Sequence, residues 1–342
     1  MRPAYSRKKP TAWSEGVPRL GIVGTMVWDR IHARDGRDVA IEEWGGISYA
    51  LAAAVAACPP GWTVVPVMKI GRDLADRAWA FLGQLPGLDL EGGVRIVPEP
   101  NNRVELRYRE RERRFERMSG GVPAWSFAEL EGVLGTLDAL YLNFISGFEL
   151  NRDTAARVRH AFAGPVYADL HSLLLGIEPG GLRTPRPLEA WREWVRCFDV
   201  VQVNEDELSS LAQAWGDPWR FAAEVVGRPL RLLLVTLGSR GAAYVASPDL
   251  DAGAGCIDSI RSRPVVEKPG PARSQRLSAS AGPQEGDPTG CGDVFGATCW
   301  CALLAGRSLD DAMGAALEAA SRNVRHRGAT GLHHHLTGRI AQ

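Results

Sequence analysis

The chain has 342 residues, of which 45% are hydrophobic and 23% are charged. This composition can fill the core of one or two domains and excludes disordered, collagen-like and coiled-coil proteins. The 40 basic and 40 acidic side chains cancel, so no overall charge attracts the chain to nucleic acid or to an anionic membrane. We therefore expect a small-molecule partner, with no nucleic acid and no membrane.

Taken in chain order, residues 1–18 contain basic side chains but no apolar segment, which predicts a flexible leader and not a signal peptide. Short β-branched segments then alternate with segments of helical spacing. Strands are predicted at 20–28, 62–68, 139–145, 165–170, 199–204 and 231–237. Helices are predicted at 47–57, 74–85, 153–162, 189–196 and 205–215. This alternation predicts an α/β fold with a mainly parallel sheet covered on both faces and an active site at the carboxyl ends of its strands.

Three regions depart from the alternation. Residues 30–44 and 99–118 are polar, and the second has the period-2 pattern of a hairpin, so together they predict a small β lid over the sheet. Residues 248–286 are rich in Pro, Gly, Ser and Ala, which predicts a long surface loop. The folded core is expected to span 19–335, with 336–342 as a tail.

The lid contains a concentration of arginine. In an alternating strand the odd positions share a face, and these are Arg103, Arg107, Arg109, Arg111 and Arg113. One hypothesis is that this face turns toward the cleft and binds a phosphate or carboxylate on the acceptor. The other interpretation is a solvated face, balanced by the acids Glu110, Glu112 and Glu116.

Two further groups of residues suggest no metal site. The six cysteines are scattered without zinc spacing and are typical of reduced thiols in a cytoplasmic protein. His333, His334 and His335 are adjacent, point in different directions on any regular backbone and are expected to be solvated.

The segment from Asp287 to Asp293, of sequence DPTGCGD, carries the clearest chemistry. Gly290 and Gly292 allow a tight turn with accessible N–H groups, and a predicted helix at 294–306 adds the positive end of its dipole. Such a turn can bind an anion while Asp293 accepts a proton from a hydroxyl. An Asp that only caps a helix is the plainer alternative for a shorter motif.

This segment resembles the D-T-x-G-A-G-D signature of the PfkB (ribokinase-like) family of sugar and nucleoside kinases. Three other motifs resemble family motifs and occur in the same order. They are Gly45-Gly46, Asn204-Glu205-Asp206-Glu207 and Thr236-Leu237-Gly238-Ser239-Arg240-Gly241. The resemblance runs from about Leu20 to Leu332.

The resemblance implies a ribokinase-like three-layer α/β/α fold, with ATP and Mg²⁺ as cofactors and room for a monovalent cation. It implies Asp293 as the general base and an anion hole formed by Gly290, Cys291 and Gly292. It implies that ATP and magnesium are bound by Asn204, Glu207, Thr236, Gly238 and Gly241. It implies that the acceptor is bound by Asp29, Gly45, Gly46 and Asn143. No direct protein ligand set for the metal is implied, and Glu207 would act through water.

Some residues depart from the family pattern. Pro288 stands for Thr and Cys291 for Ala in the signature, while Ala50 replaces the Asn that often follows the glycine pair. Asn204 and Glu207 also fit a helix capping box, and both roles can hold together. The predicted activity is transfer of the γ-phosphoryl of Mg-ATP to a hydroxyl of a small sugar or polyol. A nucleoside kinase and a non-catalytic sugar-binding regulator are the alternatives, and the lid offers a surface for a homodimer.

Overall fold

The computed structural model describes residues 16–32, 40–108, 114–227, 230–262, 270–279 and 285–338. Most of the predicted leader, and Arg109, Arg111 and Arg113 of the lid, therefore lie outside the described residues. The strands, in chain order, are β1 Arg19–Val23, β2 Met26–His32, β3 Ile41–Gly46, β4 Thr63–Gly71, β5 Val94–Val97, β6 Arg103–Tyr108, β7 Arg114–Ser119, β8 Ala139–Asn143, β9 Val166–Asp169, β10 Leu175–Ile177, β11 Arg183–Pro185, β12 Val200–Asn204, β13 Leu232–Thr236, β14 Ala242–Ala246 and β15 Arg273–Leu277.

Helices lie between the strands along most of the chain. They are α1 Ile47–Ala57, α2 Ala75–Leu82, α3 Phe127–Leu134, α4 Arg152–Ala161, α5 Trp191–Val195, α6 Glu205–Leu211, α7 Pro218–Val225, α8 Cys256–Ser262, α9 Cys291–Leu304, α10 Leu309–Asn323 and α11 Leu332–Thr337. Short 3₁₀ turns follow β4, β9 and β13.

The central sheet has nine strands in the order β15-β14-β13-β12-β9-β8-β1-β4-β5. Its pairs are parallel from β5 to β13, and only β14 and β15 pair antiparallel. Alternate side chains enter two separate cores: Tyr141 of β8 packs with α1 and α9, whereas Leu140 and Leu142 pack with α3 to α7. Burial on both faces explains the nearly continuous apolar runs of these strands and confirms the predicted α/β class.

A second sheet, in the order β3-β2-β6-β7, forms the lid. The single strand predicted at 20–28 is wrong: the chain leaves the central sheet at Gly24-Thr25 and enters the lid as β2. Thr25 makes this crossing with its hydroxyl bonded to Glu149, 2.8 Å away and beyond β8. Asp29 therefore lies within a lid strand and not at the end of a central one.

Two other predictions need correction. The region 248–286 is not a continuous loop, because it contains α8 and β15, whose Arg273–Leu277 backbone pairs with β14. The histidines 333–335 are not a solvated tail: they lie in α11, which packs against α1, and His333 is buried. The expected tail boundary at 336 falls inside this helix. Among the described residues no helix is long and apolar enough to span a membrane.

Candidate active site

The turn before α9 is held rigid from both sides. The carboxylate of Asp287 accepts bonds from the backbone N–H of Thr289 at 3.0 Å and from its hydroxyl at 2.6 Å. Asn323 of α10 donates to the Thr289 carbonyl at 2.8 Å. Gly290 has φ of 77°, and a Cβ there would lie 2.3 Å from the Tyr49 ring, so only glycine fits. The N–H of Cys291 closes the turn on the Pro288 carbonyl at 3.1 Å, so an anion would compete with Pro288 for that N–H.

Asp293 lies in the first turn of α9, where the helix dipole favours a negative charge. Its Oδ1 accepts a hydrogen bond of 2.7 Å from Nδ2 of Asn143, at the end of β8. Asn143 is buried, and this contact gives it a direct means of orienting the Asp293 carboxylate. The two residues are 150 positions apart in the sequence.

Gln202 of β12 connects the α9 turn to the sheet. Its Nε2 donates to Asp169 Oδ2 at 2.8 Å and to the Gly292 carbonyl at 3.0 Å, while its Oε1 accepts from the Tyr167 hydroxyl at 2.6 Å. Gln202 is 2% exposed, and its contacts with Asp169 and Tyr167 are in the protein interior. The three contacts fix the position of the residue next to Asp293.

The lid contributes a buried acid. Asp29 is opposite Glu43 of β3 in register, and a Cβ on Gly45 would lie 1.8 Å from Asp29 Oδ2. Gly45 is therefore required for the carboxylate to lie across the strand. Burial, with the charges of nearby carboxylates, raises the pKa of the Tyr49 phenol. Those carboxylates belong to Asp29, Asp287, Glu43 and Asp293, so the lid acid and the α9 acid both raise the pKa of this phenol.

Asn204 and Glu207 form a reciprocal cap at the start of α6. Asn204 Oδ1 accepts from the Glu207 N–H at 2.9 Å, and Glu207 Oε2 accepts from the Asn204 N–H at 2.8 Å. Glu207 Oε1 also accepts from Asn204 Nδ2 at 2.7 Å and contacts His171 Nδ1 at 2.6 Å. Burial alone would lower the pKa of His171, but the carboxylates of Glu207, Asp169 and Glu116 outweigh it and raise that pKa to about 9. The imidazole is therefore cationic at neutral pH.

The predicted nucleotide residues lie on the neighbouring strand. Thr236 ends β13 and is paired in register with Asn204. Gly238 has φ of 58° with open space around its Cα, whereas a Cβ on Gly241 would lie 2.1 Å from the Leu277 carbonyl. The cleft edge is thus continuous from β12 to β13, and Arg240 after β13 is ion-paired with Glu205 of α6.

Asp169 is a buried carboxyl group with other carboxylates close to it. Burial raises the pKa of this carboxyl group well above its usual range, and the charges of Glu207 and Asp293 raise it further. Such crowded carboxylates favour a divalent cation, and magnesium usually keeps several waters when it binds beside phosphates. The residues fit a water-mediated magnesium ion, and the described residues contain no cluster of three or more metal-binding side chains.

The arginine face of the lid does not turn toward this cleft in the described residues. Val104 of β6 pairs in register with Asp29 and shares its face, so Arg103, Glu105 and Arg107 lie on the opposite face. Arg103 pairs with Asp73 at 2.6 Å, and Arg107 pairs with Glu105 at 2.8 Å. The hypothesis of an anion-binding arginine face is therefore wrong for these residues.

Comparison with known proteins gives a family match over the second half of the chain. Residues 179–335 match the profile described as pfkB family carbohydrate kinase. This segment is similar to pfkB-family kinases, and the chain is a phosphotransferase that acts on hydroxyl groups. No curated protein sequence matches it.

Solved structures share the ribokinase fold of this chain. Ribokinase from Thermotoga maritima is 18% identical with a TM-score of 0.67, covering 94% of this chain and 98% of that one. Arabidopsis thaliana ribokinase complexed with ribose and ATP is 20% identical with a TM-score of 0.66, again covering 94% and 98%. The sulfate complex of a pyrophosphate-dependent kinase in the ribokinase family is 17% identical with a TM-score of 0.69, covering 91% and 97%.

Sequence reasoning did not include four residues of this site: Tyr49, Asp169, His171 and Gln202. Asp169 and His171 follow directly after the apolar run of β9, so a polar end on a central strand was the available signal. Gln202 is a polar residue within the apolar run of β12, which also marks it as unusual. Tyr49 carries no comparable signal because it is part of an ordinary apolar helix face.

Proposed function

We propose that this kinase transfers the γ-phosphoryl group of Mg-ATP to a hydroxyl of a small sugar or polyol. The observation that carries the proposal is that Asp293, bonded to Asn143 at the carboxyl end of β8, directly follows the glycine turn, whose Gly290 packs on the Tyr49 ring. A hydroxyl between the lid and α9 would have a carboxylate base on one side and a hydrogen-bond acceptor on the other. Phosphoryl transfer depends mainly on such positioning and on charge stabilisation.

In this proposal Asp293 accepts the proton of the attacking hydroxyl, and Asn143 orients its carboxylate through the 2.7 Å bond to Oδ1. The N–H groups of Gly290, Cys291 and Gly292, with the α9 dipole, would stabilise charge on the transferred group. Asp29, Gly45 and Gly46 would hold the acceptor. Apolar side chains surround this acid on the lid face, since Val27, Ile31, Val104, Leu106 and Met118 form one buried cluster.

On the donor side, Asn204, Thr236, Gly238 and Gly241 would line the nucleotide site along the β12–β13 edge. A magnesium ion held through water by Asp169 and Glu207 would neutralise charge on the donor phosphates. The support is the crowding of carboxylates around Asp169. ATP is proposed because Arabidopsis thaliana ribokinase binds it, and pyrophosphate enters the test because a similar structure is pyrophosphate-dependent.

The test is the variant Asp293→Asn, with product formation measured against sugars, polyols, nucleosides and sugar phosphates, using ATP or pyrophosphate as donor. An amide keeps the shape of the side chain and cannot accept the proton, so kcat should fall about 10²- to 10⁴-fold while donor binding persists. The matched control is Asp310→Asn, an acid in the first turn of the neighbouring helix α10. A wild-type kcat in Asp293→Asn would refute the assignment of the base, and no turnover with any alcohol in the wild-type protein would refute the function.

A further inference from the structure

Glu43 of strand β3 is a lid carboxylate to which the proposed mechanism gives no role. It pairs in register with Asp29 of β2, and side chains directly opposite each other in neighbouring strands share one face of a sheet. Glu43 is partly buried, whereas the preceding residue, Glu42, is exposed on the other face of the strand. The Glu43 side chain therefore lies on the face of the lid that carries the proposed acceptor-binding acid.

The Glu43 carboxylate contacts Gly328, which lies in the connection between α10 and α11. Gly328 is buried and has φ of 76°, and a Cβ at this position would overlap Oε2 of Glu43. Gly331, in the same connection, has φ of 72° but open space around its Cα. Both positions use the backbone freedom of glycine. Only at Gly328 does a lid side chain occupy the space that any other residue would fill.

The same connection holds the turn before α9. The Val324 carbonyl accepts a hydrogen bond of 3.0 Å from the N–H of Asp287. One residue earlier, the Asn323 amide donates to the Thr289 carbonyl at 2.8 Å. Contacts therefore run without interruption from the lid strand β3, through residues 324–328, to the turn that would form the anion hole. The lid and this turn are held by the same short piece of chain.

We propose that Glu43 is a positioning residue, whose contact with Gly328 couples the lid to the anion-hole turn. This inference rests on the proposed function, which places the acceptor against Asp29 and the transferred group at the turn. Because Asp29 and Glu43 are cross-strand neighbours, an acceptor that fixes β2 also fixes β3 and its contact with Gly328. Residues 324–328 then hold Asp287 in place, so binding of the acceptor orders the site of phosphoryl transfer.

The first experiment compares steady-state kinetics of Gly328→Ala and Gly331→Ala, which carry the same strain of a positive φ. Only Gly328→Ala places a methyl group on the Glu43 carboxylate. Its kcat should fall about 10- to 10²-fold, because a small misplacement of reacting groups can cost that much, while the KM for ATP stays near the wild-type value. Gly331→Ala should keep the wild-type kcat.

The double variant Glu43→Ala/Gly328→Ala tests whether the loss comes from this contact. Removing the Glu43 side chain removes the overlap, so kcat should recover to the value of Glu43→Ala alone. Equal losses of kcat in Gly328→Ala and Gly331→Ala would overturn the proposal, and so would a double variant no faster than Gly328→Ala.

Hydrogen exchange measured without acceptor or donor gives a second test that needs no turnover and no glycine variant. Glu43→Ala should speed exchange of the Asp287 and Thr289 N–H groups severalfold, because the connection that holds their turn loses its contact with the lid. Glu42→Ala, on the other face of β3, should leave both rates unchanged. Unchanged exchange in Glu43→Ala would overturn the coupling. Failure of the proposed function would appear separately, as faster exchange in Glu43→Ala with no turnover of any alcohol by the wild-type protein.

Discussion

Replacing Gln202 with methionine should destabilise the protein and displace the start of α9. Methionine has a similar volume and fits an irregular core, so the change removes hydrogen bonds without creating a large cavity. Three partners lose their contact with Gln202: Asp169, the Gly292 carbonyl and the Tyr167 hydroxyl. The Gly292 carbonyl lies in the first turn of α9 and keeps its helical bond.

The expected cost follows from the other two partners. Asp169 loses one of its donors, and Tyr167 is buried with a hydroxyl that then has no acceptor in this contact. A buried polar group left unsatisfied costs roughly 1–3 kcal/mol, so Gln202→Met should lower the free energy of unfolding by about 2–6 kcal/mol. Adding Tyr167→Phe removes the orphaned hydroxyl and should recover about 1–3 kcal/mol of that loss.

Urea unfolding followed by tryptophan fluorescence measures these values. The control is Gln84→Met, an exposed glutamine, which should change the free energy of unfolding by less than about 0.5 kcal/mol. In Gln202→Met, kcat should fall by a larger factor than KM rises, because the lost bond to Gly292 displaces the adjacent Asp293. A loss below about 1 kcal/mol, or no recovery on adding Tyr167→Phe, would show that Gln202 does not tie α9 to the sheet.

Two further predictions concern the lid and the pH dependence of stability. Asp29→Ala should raise the KM for the acceptor much more than the KM for ATP, because Asp29 lies on the cleft face of the lid. Steady-state kinetics measure both constants, with Arg30→Ala on the outer face as the control. Equal changes of the two KM values in Asp29→Ala would contradict the prediction. Burial alone would raise the pKa of Glu129, but Lys69 and Ser126 outweigh it and lower that pKa to about 2. Because the pKa of Glu129 is lower in the folded state, its contribution to stability is present above about pH 4.5 and is lost as the pH falls toward 2. Glu129→Gln should therefore make the free energy of unfolding depend less on pH over that range. An unchanged slope of the free energy of unfolding against pH would contradict the pairing.

The sequence predicts elements best where local pattern and burial agree. The predicted helix at 47–57 has the same bounds as α1, and each predicted central strand overlaps an observed one. The exception is the run 20–28, which reads as one strand because apolar residues continue through it. The break at Gly24-Thr25 depends on Glu149, more than 100 residues away, whose Oε1 also accepts the N–H groups of Ile145 and Ser146. Nothing local to residues 20–28 reports that contact.

The histidines at 333–335 also show that the local sequence does not reveal a tertiary contact. A polar tract near a chain end is usually solvated, but α11 packs on α1 and buries Leu332, His333 and Leu336. His333 is buried with neither ring nitrogen bonded in the described residues, and burial lowers its pKa, which favours the neutral ring. The polar composition of this segment predicts exposure, whereas its burial results from tertiary packing that the composition does not indicate.

The residues of the site also differ in whether the local sequence or the tertiary fold brings them there. The residues anticipated from motifs are those next to glycine turns and caps, where a local backbone requirement leaves a recognisable spacing. The contacts between them come from strand order: Asn143 reaches Asp293 across 150 residues, and Gln202 reaches Gly292 across 90. Strand β9 lies between β8 and β12, so Asp169 at its end and His171 just beyond it lie beside the ends of both neighbouring strands, although no motif spacing in the sequence marks them. A strand placed centrally in a parallel sheet thus brings its terminal polar residues to the cleft by topology alone, and those are the positions to examine when motifs give only part of a site.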